Sequence, residues 1–383
     1  MKKSILIITF AVCINISCEK EEDDLFDINA VRTPPLITAP NNFVDPKLNQ
    51  QAKDLYGRLI NITQKGIAFG QQQPFGTGTD FSVPNQLQPD FFDVTGDFPA
   101  IAGFDLEEIS LQSDSNTPES FLDKFINRFT KAVIEAHENG SIITISWHHI
   151  NPQGFDANGI ENFDGVVAKF LEGGEFRQEY IKRLSRAARL LNNLVDAQGN
   201  SIPVLFRPWH EMNGSFFFWG DGFRTTDDYI QLWKDTIKIL SEDFNVHNLI
   251  YVYAPNLISN RSEYLRNYPG DEFVDMLGID VYDFRNRNFL NNAIRNLQIV
   301  EDIATEKNML FSLTETGLKN VVDNNWWTQS LYKAIRSSSI SYAMIWRNDM
   351  TIFFHAPFLG HPSEGDFNEF LDKEIILLSS DIE

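Results

Sequence analysis

Residues 117 to 146 read Thr117-Pro-Glu-Ser-Phe-Leu-Asp-Lys-Phe-Ile-Asn-Arg-Phe-Thr-Lys-Ala-Val-Ile-Glu-Ala-His-Glu-Asn-Gly140, then Ser141-Ile-Ile-Thr-Ile-Ser146. Thr117 suits an N-cap, and Pro118 suits the first helical position, where a missing N–H costs nothing. Phe121, Leu122, Phe125, Ile126, Phe129 and Val133 then fall on one stripe of a 3.6-residue helix. Gly140 supplies the stop, and a β-branched run apolar on both faces follows at once. Such a run suits a parallel strand covered by helices on one side and a core on the other.

Working outward, runs of this kind recur eight times. They are Gly66–Gly70, Ala100–Phe104, Ser141–Ser146, Pro203–Phe206, Leu249–Tyr253, Met276–Asp280, Met309–Leu313 and Ser341–Ile345. Helical stripes separate them, for example Phe176, Tyr180, Ile181, Leu184, Leu191 and Leu194 before the fourth. Tyr229, Leu232, Trp233, Ile237 and Leu240 form another before the fifth. Eight strand–helix alternations predict an α/β fold, a (β/α)8 TIM barrel forming a single domain over residues 46–383.

The beginning of the chain has a different character. Lys2 and Lys3 precede an apolar run from Ser4 to Ile16, then Ser17-Cys18, so residues 1–17 are expected to be a signal peptide. A small residue before a cysteine resembles a bacterial lipobox, although Asn15 stands where that pattern prefers Leu. The resemblance implies a lipidated Cys18 that attaches the protein to a membrane, the outer membrane of a Gram-negative cell. The acidic run from Glu19 to Asp24 reads either as a surface-export signal or as a solvated spacer. With Pro34, Pro35 and Pro40, it makes residues 18–45 an expected tether. The two cysteines, Cys13 and Cys18, both lie in this region, so the barrel has no thiols for a disulfide or a zinc site.

The chain carries 53 acidic against 32 basic residues, a net charge of -21, which opposes a nucleic-acid partner. Phosphate loops and dinucleotide fingerprints are absent, and the histidines form no recognisable metal set, so no cofactor is expected. His210-Glu211 opens like a His-Glu-x-x-His metalloprotease site, but Gly214 occupies the place of the second histidine. A monomer is the default expectation.

In a (β/α)8 barrel the residues just past the strands share one face and build the active site. Here they are Gln71 to Gln73, Asp105, Trp147-His148-His149 with Asn151-Pro152, Arg207 to Asn213, Asn256, Tyr282, Thr314-Glu315 and Trp346-Arg347-Asn348. Glu211 and Glu315 stand out, because glycosidic hydrolysis needs one carboxyl to protonate the leaving oxygen and an ionised one opposite.

The segment Arg207-Pro-Trp-His-Glu-Met-Asn-Gly-Ser-Phe-Phe-Phe-Trp-Gly220 resembles the acid/base motif of glycoside hydrolase family 26, which places His before its glutamate, as His210 stands here. The resemblance covers the chain from about residue 46 onward and implies a retaining mechanism. By it, Glu211 is the acid/base and Glu315, in Leu313-Thr-Glu-Thr-Gly317, the nucleophile. His148 is implied to contact the sugar at the cleavage site, in preference to His149, and Tyr282 to hydrogen-bond the nucleophile. Trp346 is implied to lie under that sugar, with Arg347 reaching the next one. Trp219 is expected to line the cleft, and the three phenylalanines before it divide between core and binding surface. Asp105 and Gln71 to Gln73 are further rim positions.

The implied substrate is β-mannan, poly- or oligosaccharide, cleaved as by a mannan endo-1,4-β-mannosidase. An exo-acting mannobiose-releasing enzyme, a mixed-linkage β-glucanase and a β-1,3-xylanase use the same chemistry. A surface glycan-binding lipoprotein is the reading from another class, which two retained glutamates argue against. The Gly- and Asp-rich insertion between Asn151 and Gly174 is expected to shape the cleft.

Overall fold

The computed structural model describes residues 32–75, 89–111, 119–155, 160–285, 288–349 and 353–382. All eight expected strands form: β1 (Ile67–Gln72), β2 (Ile101–Asp105), β3 (Ile142–Ser146), β4 (Val204–Arg207), β5 (Leu249–Tyr253), β6 (Met276–Asp283), β7 (Leu310–Leu318) and β8 (Tyr342–Ile345). Each pairs in parallel with the next, and β1 pairs with both β8 and β2, closing the barrel. A short β9 (Ile376–Leu377), for which the sequence offered no expectation, joins the start of β1 through Ile67 and Ala68.

The helices of the outer layer follow the apolar stripes. Glu119–Glu138 buries Leu122, Phe125, Ile126, Phe129 and Val133 against the sheet. The N-cap expected at Thr117 lies outside the described residues. Arg177–Asn192 precedes β4, with Phe176 at its N-cap position, and Thr226–Lys238 precedes β5. The latter starts with a capping box, in which Thr225 Oγ1 and the Asp228 carboxylate each accept from the other's backbone N–H.

Inside the barrel the two ends differ chemically. At the N-terminal end, Ala68, Ile101, Ile142, Leu205, Ile250, Met276, Leu310 and Tyr342 form an apolar layer. Helix α1 (Gln50–Lys65) closes this end with Leu55, Tyr56, Leu59 and Ile62, and Tyr56 Oη accepts from the Leu310 N–H at 3.3 Å. The bottom is therefore dry and sealed. Polar side chains gather at the C-terminal end.

The structure corrects the expected tether at its C-terminal part, since residues 32 to 45 pack against the sealed end. The Arg32 guanidinium donates to the carbonyls of Ser338 and Gly66 at 2.9 and 3.0 Å, and Ile37 is buried in the lower core. The Val44 N–H donates to Asp275 at 2.9 Å, and Asp45 pairs with His247 at 2.7 Å. Apolar burial and backbone hydrogen bonds outweigh the local proline signal here.

Candidate active site

Arg207, at the end of β4, is the centre of the polar end. It is fully buried and sits between two carboxylates, donating from Nη1 to Asp280 Oδ2 at 2.7 Å and from Nη2 to Glu315 Oε1. Asp280 also accepts from Thr314 Oγ1 at 2.6 Å. That contact depends on Gly278, where a Cβ would come within 2.6 Å of the Thr314 side chain. Glu315 takes its second hydrogen bond from Tyr282, Oη to Oε2 at 2.9 Å. Burial first, and then the charges of Glu315 and Glu211, push the Tyr282 phenol well up, so it remains a donor.

Glu211 lies in the turn after β4, and the backbone is bent to put it there. Trp209 and Glu211 both adopt left-handed conformations, with φ of 53° and 54°. For non-glycine residues this costs about 1–2 kcal/mol each. The turn is held by its surroundings. The Glu211 N–H donates to Ala254 O at 2.8 Å, Trp209 Nε1 to Thr236 Oγ1 at 2.8 Å, and Tyr229 Oη to Trp209 O at 2.9 Å.

Unlike its neighbours, the Glu211 carboxyl takes part in no hydrogen bond among the described residues. Burial first, then the negative charges of Asp280 and Glu315, raise it well above the ordinary glutamate range, with Arg207 opposing. Burial pushes Asp280 upward too, yet Arg207 and Thr314 both hydrogen-bond its charged form. One buried cation cannot neutralise three carboxylates. The proton therefore resides on Glu211, which has no donor to stabilise its anion. The site thus pairs a carboxyl whose neutral form its surroundings favour with a second one, Glu315, that accepts hydrogen bonds from Arg207 and Tyr282.

This arrangement has a pH signature. Between the ordinary glutamate range and its raised folded value, Glu211 is ionised in the unfolded chain and protonated in the folded one. Stability is lost as pH rises through that window. Glu211→Gln should therefore raise the melting temperature at pH 8 relative to the native chain and change it little at pH 4. A melting series across pH checks this, and an equal shift at both values would contradict it.

Beside Glu211 lies a histidine pair. His148 Nδ1 meets Asp105 Oδ2 at 2.6 Å, and His148 Nε2 faces His210 Nε2 at 3.2 Å. Two facing ring nitrogens need one proton between them. Burial alone would lower His148, but the charge and hydrogen bond of Asp105 raise it. Burial alone would likewise raise Asp105, and His148 holds it down to about 2. His210 is lowered by burial, then by Arg207 and His148, so the proton belongs to His148. His149 points elsewhere, stacked between Trp147 and Trp209 with ring centroids 3.9 Å from each. The structure thus separates His148 in the site from His149 in the core.

Trp346 follows β8 and stands edge-on to His148, with ring centroids at 5.7 Å. Arg347 donates to Gln73 Oε1 at 2.8 Å and to Asp349 at 3.3 Å, so it belongs to the rim between β8 and β1. Asn348 instead staples its own loop, accepting from the His355 and Ala356 N–H groups.

The expectation for Trp219 needs correction. It is fully buried, donates its indole N–H to His210 O at 2.8 Å and stacks under Phe217 at 4.3 Å. A buried indole N–H needs an acceptor, and the carbonyl in the turn supplies one. Phe217 is the ring that meets His148 and His210, at 5.4 and 5.6 Å, while Phe218 is core and Phe216 is exposed.

Two site residues were not singled out from the sequence. Arg207 begins the family motif, and Asp280 lies two residues before Tyr282, hence on the same face of β6. An acid within an otherwise apolar strand was the available signal.

A (β/α)8 barrel that brings together a glutamate in the turn after its fourth strand and another in the C-terminal half of its seventh defines the class of enzymes that cleave glycosidic bonds. The family model "Glycosyl hydrolase family 26" matches residues 44–348. The chain belongs to glycosyl hydrolase family 26.

A mannan endo-1,4-beta-mannosidase of Bifidobacterium adolescentis is 29% identical over 367 residues, covering 88% of this chain and 36% of the relative. The chain thus spans little more than a third of that relative's length. A mannan endo-1,4-beta-mannosidase of Bacillus subtilis strain 168 is 30% identical, covering 76% of this chain and 77% of the relative. The solved structure of a GH26 beta-mannanase from Bacteroides ovatus superimposes with a TM-score of 0.76 at 33% identity, covering 85% of this chain and 94% of that one.

Among the described residues, no group of three or more His, Cys, Asp or Glu side chains is placed to hold a metal ion. Nor is any helix there long and apolar enough to cross a membrane.

Proposed function

We propose that the protein is a retaining β-mannan hydrolase of the endo-1,4-β-mannosidase type. One observation carries the reading: a buried Glu211 carboxyl that takes part in no hydrogen bond among the described residues lies near a Glu315 whose two oxygens are held by Arg207 and Tyr282. Glu315 attacks the anomeric carbon while Glu211 gives its proton to the departing oxygen. Glu211, now ionised, then takes a proton from the water that releases the product. His148, His210, Trp346 and Arg347 shape the sugar site around this pair, and mannosidase relatives support mannan as the substrate.

The test is product analysis on linear mannan, galactomannan, glucomannan, mixed-linkage glucan and β-1,3-xylan. A ladder of mannooligosaccharides is expected. A single short product would mean exo action, cleavage of only glucan or xylan would overturn the substrate, and silence on all five would favour a glycan-binding protein.

Tyr282→Phe removes one hydrogen bond to a charged group, worth about 1.5–3 kcal/mol. The kcat on mannotetraose should fall roughly tenfold to a hundredfold. An unchanged kcat would argue against a role for this contact.

We also propose export as a lipoprotein anchored through Cys18. Metabolic labelling with palmitate should mark the native chain and not Cys18→Ser; equal labelling would exclude that anchor.

A further inference from the structure

Asp105 ends β2 with all four lone-pair directions of its carboxylate in use. Oδ1 accepts the backbone N–H groups of Glu107 at 2.8 Å and His148 at 3.1 Å, and Oδ2 takes Ser146 Oγ at 2.7 Å and His148 Nδ1 at 2.6 Å. Ser146 stands opposite Asp105 in the register of β2 and β3. Its one proton goes to Asp105, because its contact with Phe104 O is longer, at 3.4 Å, and Gln72 Nε2 donates to the same hydroxyl at 3.4 Å. Four donors converge, and only an ionised carboxylate accepts from them all. His148 Nδ1 therefore carries a proton.

The rest of the His148 ring is fixed as well. Phe217 and Trp346 stand edge-on to it, and its Nε2 faces His210 Nε2 at 3.2 Å. Burial keeps His210 neutral, so His148 Nε2 also carries a proton and the ring is an imidazolium. Its charge faces Glu315 from β7 and Arg207 from β4, which act in opposite senses, while His149 beside it is neutral. Glu107, itself under Arg347, lies next to the pair on the helix after β2. The His148 side chain keeps 25% of its surface exposed, enough for a sugar to meet it.

We infer that Asp105 is a positioning residue for glycoside cleavage that acts through His148: it pins Nδ1, keeps the ring charged beside Glu315 and turns the Nε2–H into the sugar site. The inference rests on the mannanase reading above. Asparagine is the discriminating replacement. Its carbonyl oxygen takes the two fixed backbone N–H groups, so its NH2 group faces His148 Nδ1, which can then only accept. The ring becomes neutral, protonated at Nε2 alone.

Nitrogen NMR of enzyme carrying isotope-labelled histidine reads the ring directly, with His148→Gln to assign its signals. At neutral pH the native ring should carry both protons and titrate above the ordinary histidine value, whereas in Asp105→Asn it should lack the Nδ1 proton and titrate below that value. Activity is read on an aryl β-mannobioside with a dinitrophenolate leaving group, which needs no proton from Glu211, so the alkaline limb of kcat/KM reports His148 instead. That limb should coincide with the native His148 titration and move at least about one pH unit toward acid in Asp105→Asn, with kcat/KM at neutral pH lowered about tenfold to a hundredfold. A native ring without the Nδ1 proton would overturn the inference whether or not the variant folds. A limb that stays in place while the ring's titration moves would also overturn it, leaving Asp105 a purely structural residue and the mannanase reading intact. Native enzyme inert on this substrate and on mannan would overturn the mannanase reading, and this inference with it, whatever protons the ring carries.

Discussion

Replacing Glu315 with alanine should lower kcat on mannan by at least about 10⁴-fold, because no other group in the site can form the covalent intermediate. The fold should survive the change. Arg207 keeps Asp280 as a partner at 2.7 Å, and Tyr282 can turn its hydroxyl to water in the vacated space. Circular dichroism and melting of the variant test this separately from turnover.

Azide sharpens the experiment. It can enter the space left by the carboxylate and attack from that face while Glu211 still protonates the leaving group. Glu315→Ala should therefore regain activity with azide and yield a mannosyl azide of α configuration, opposite to the substrate. Residual hydrolysis within a hundredfold of native, without azide, would sink the assignment.

Arg207→Met should have the largest effect on stability. The guanidinium is fully buried between Asp280 and Glu315, so its removal leaves two carboxylates in a dry interior with no countercharge. Breaking a buried ion pair from one side costs about 3–5 kcal/mol, a large share of a domain's stability. Urea unfolding at pH 7 should show this loss, with activity absent even where the protein remains folded.

The partner variant makes the cause specific. Arg207→Met with Asp280→Asn removes one of the stranded charges and should recover part of the stability without recovering activity. If the double variant were no more stable than the single one, lost packing around the arginine, and not stranded charge, would be the explanation. The two predictions concern opposite ends of one interaction. Arg207 orients and stabilises the anion at Glu315, and Glu315 uses that anion in chemistry.

All eight strands and the helical stripes between them could be read from the sequence, because local periodicity and turn residues set those elements. Glu211, Glu315, His148, Tyr282, Trp346 and Arg347 were legible as candidates, since each lies in the C-terminal half of a strand or just past it, and barrel topology sends all those ends to one face, although β6 and β7 run on past the expected ends to include Tyr282 and Glu315. Trp219 was misplaced because an indole can serve as a sugar platform or as a core residue. Only the position of the His210 carbonyl decides which. Asp280 was overlooked because its meaning lies in contact with Arg207, seventy-three residues away along the chain.

The same division holds for the whole molecule. The sequence by itself determined the barrel and singled out Glu211 and Glu315 near strand ends, because strand order and short motifs are local information, while the roles of the two glutamates and the preference for His148 over His149 came from the family resemblance. Tertiary structure alone decided which carboxyl holds the proton, since that depends on which one Arg207, Thr314 and Tyr282 reach in a water-poor interior. It also decided that residues 32 to 45 belong to the barrel, because Arg32, Ile37 and Val44 find their partners only after the sheet has closed. Protonation and docking are long-range electrostatic and packing outcomes, and no local pattern encodes them.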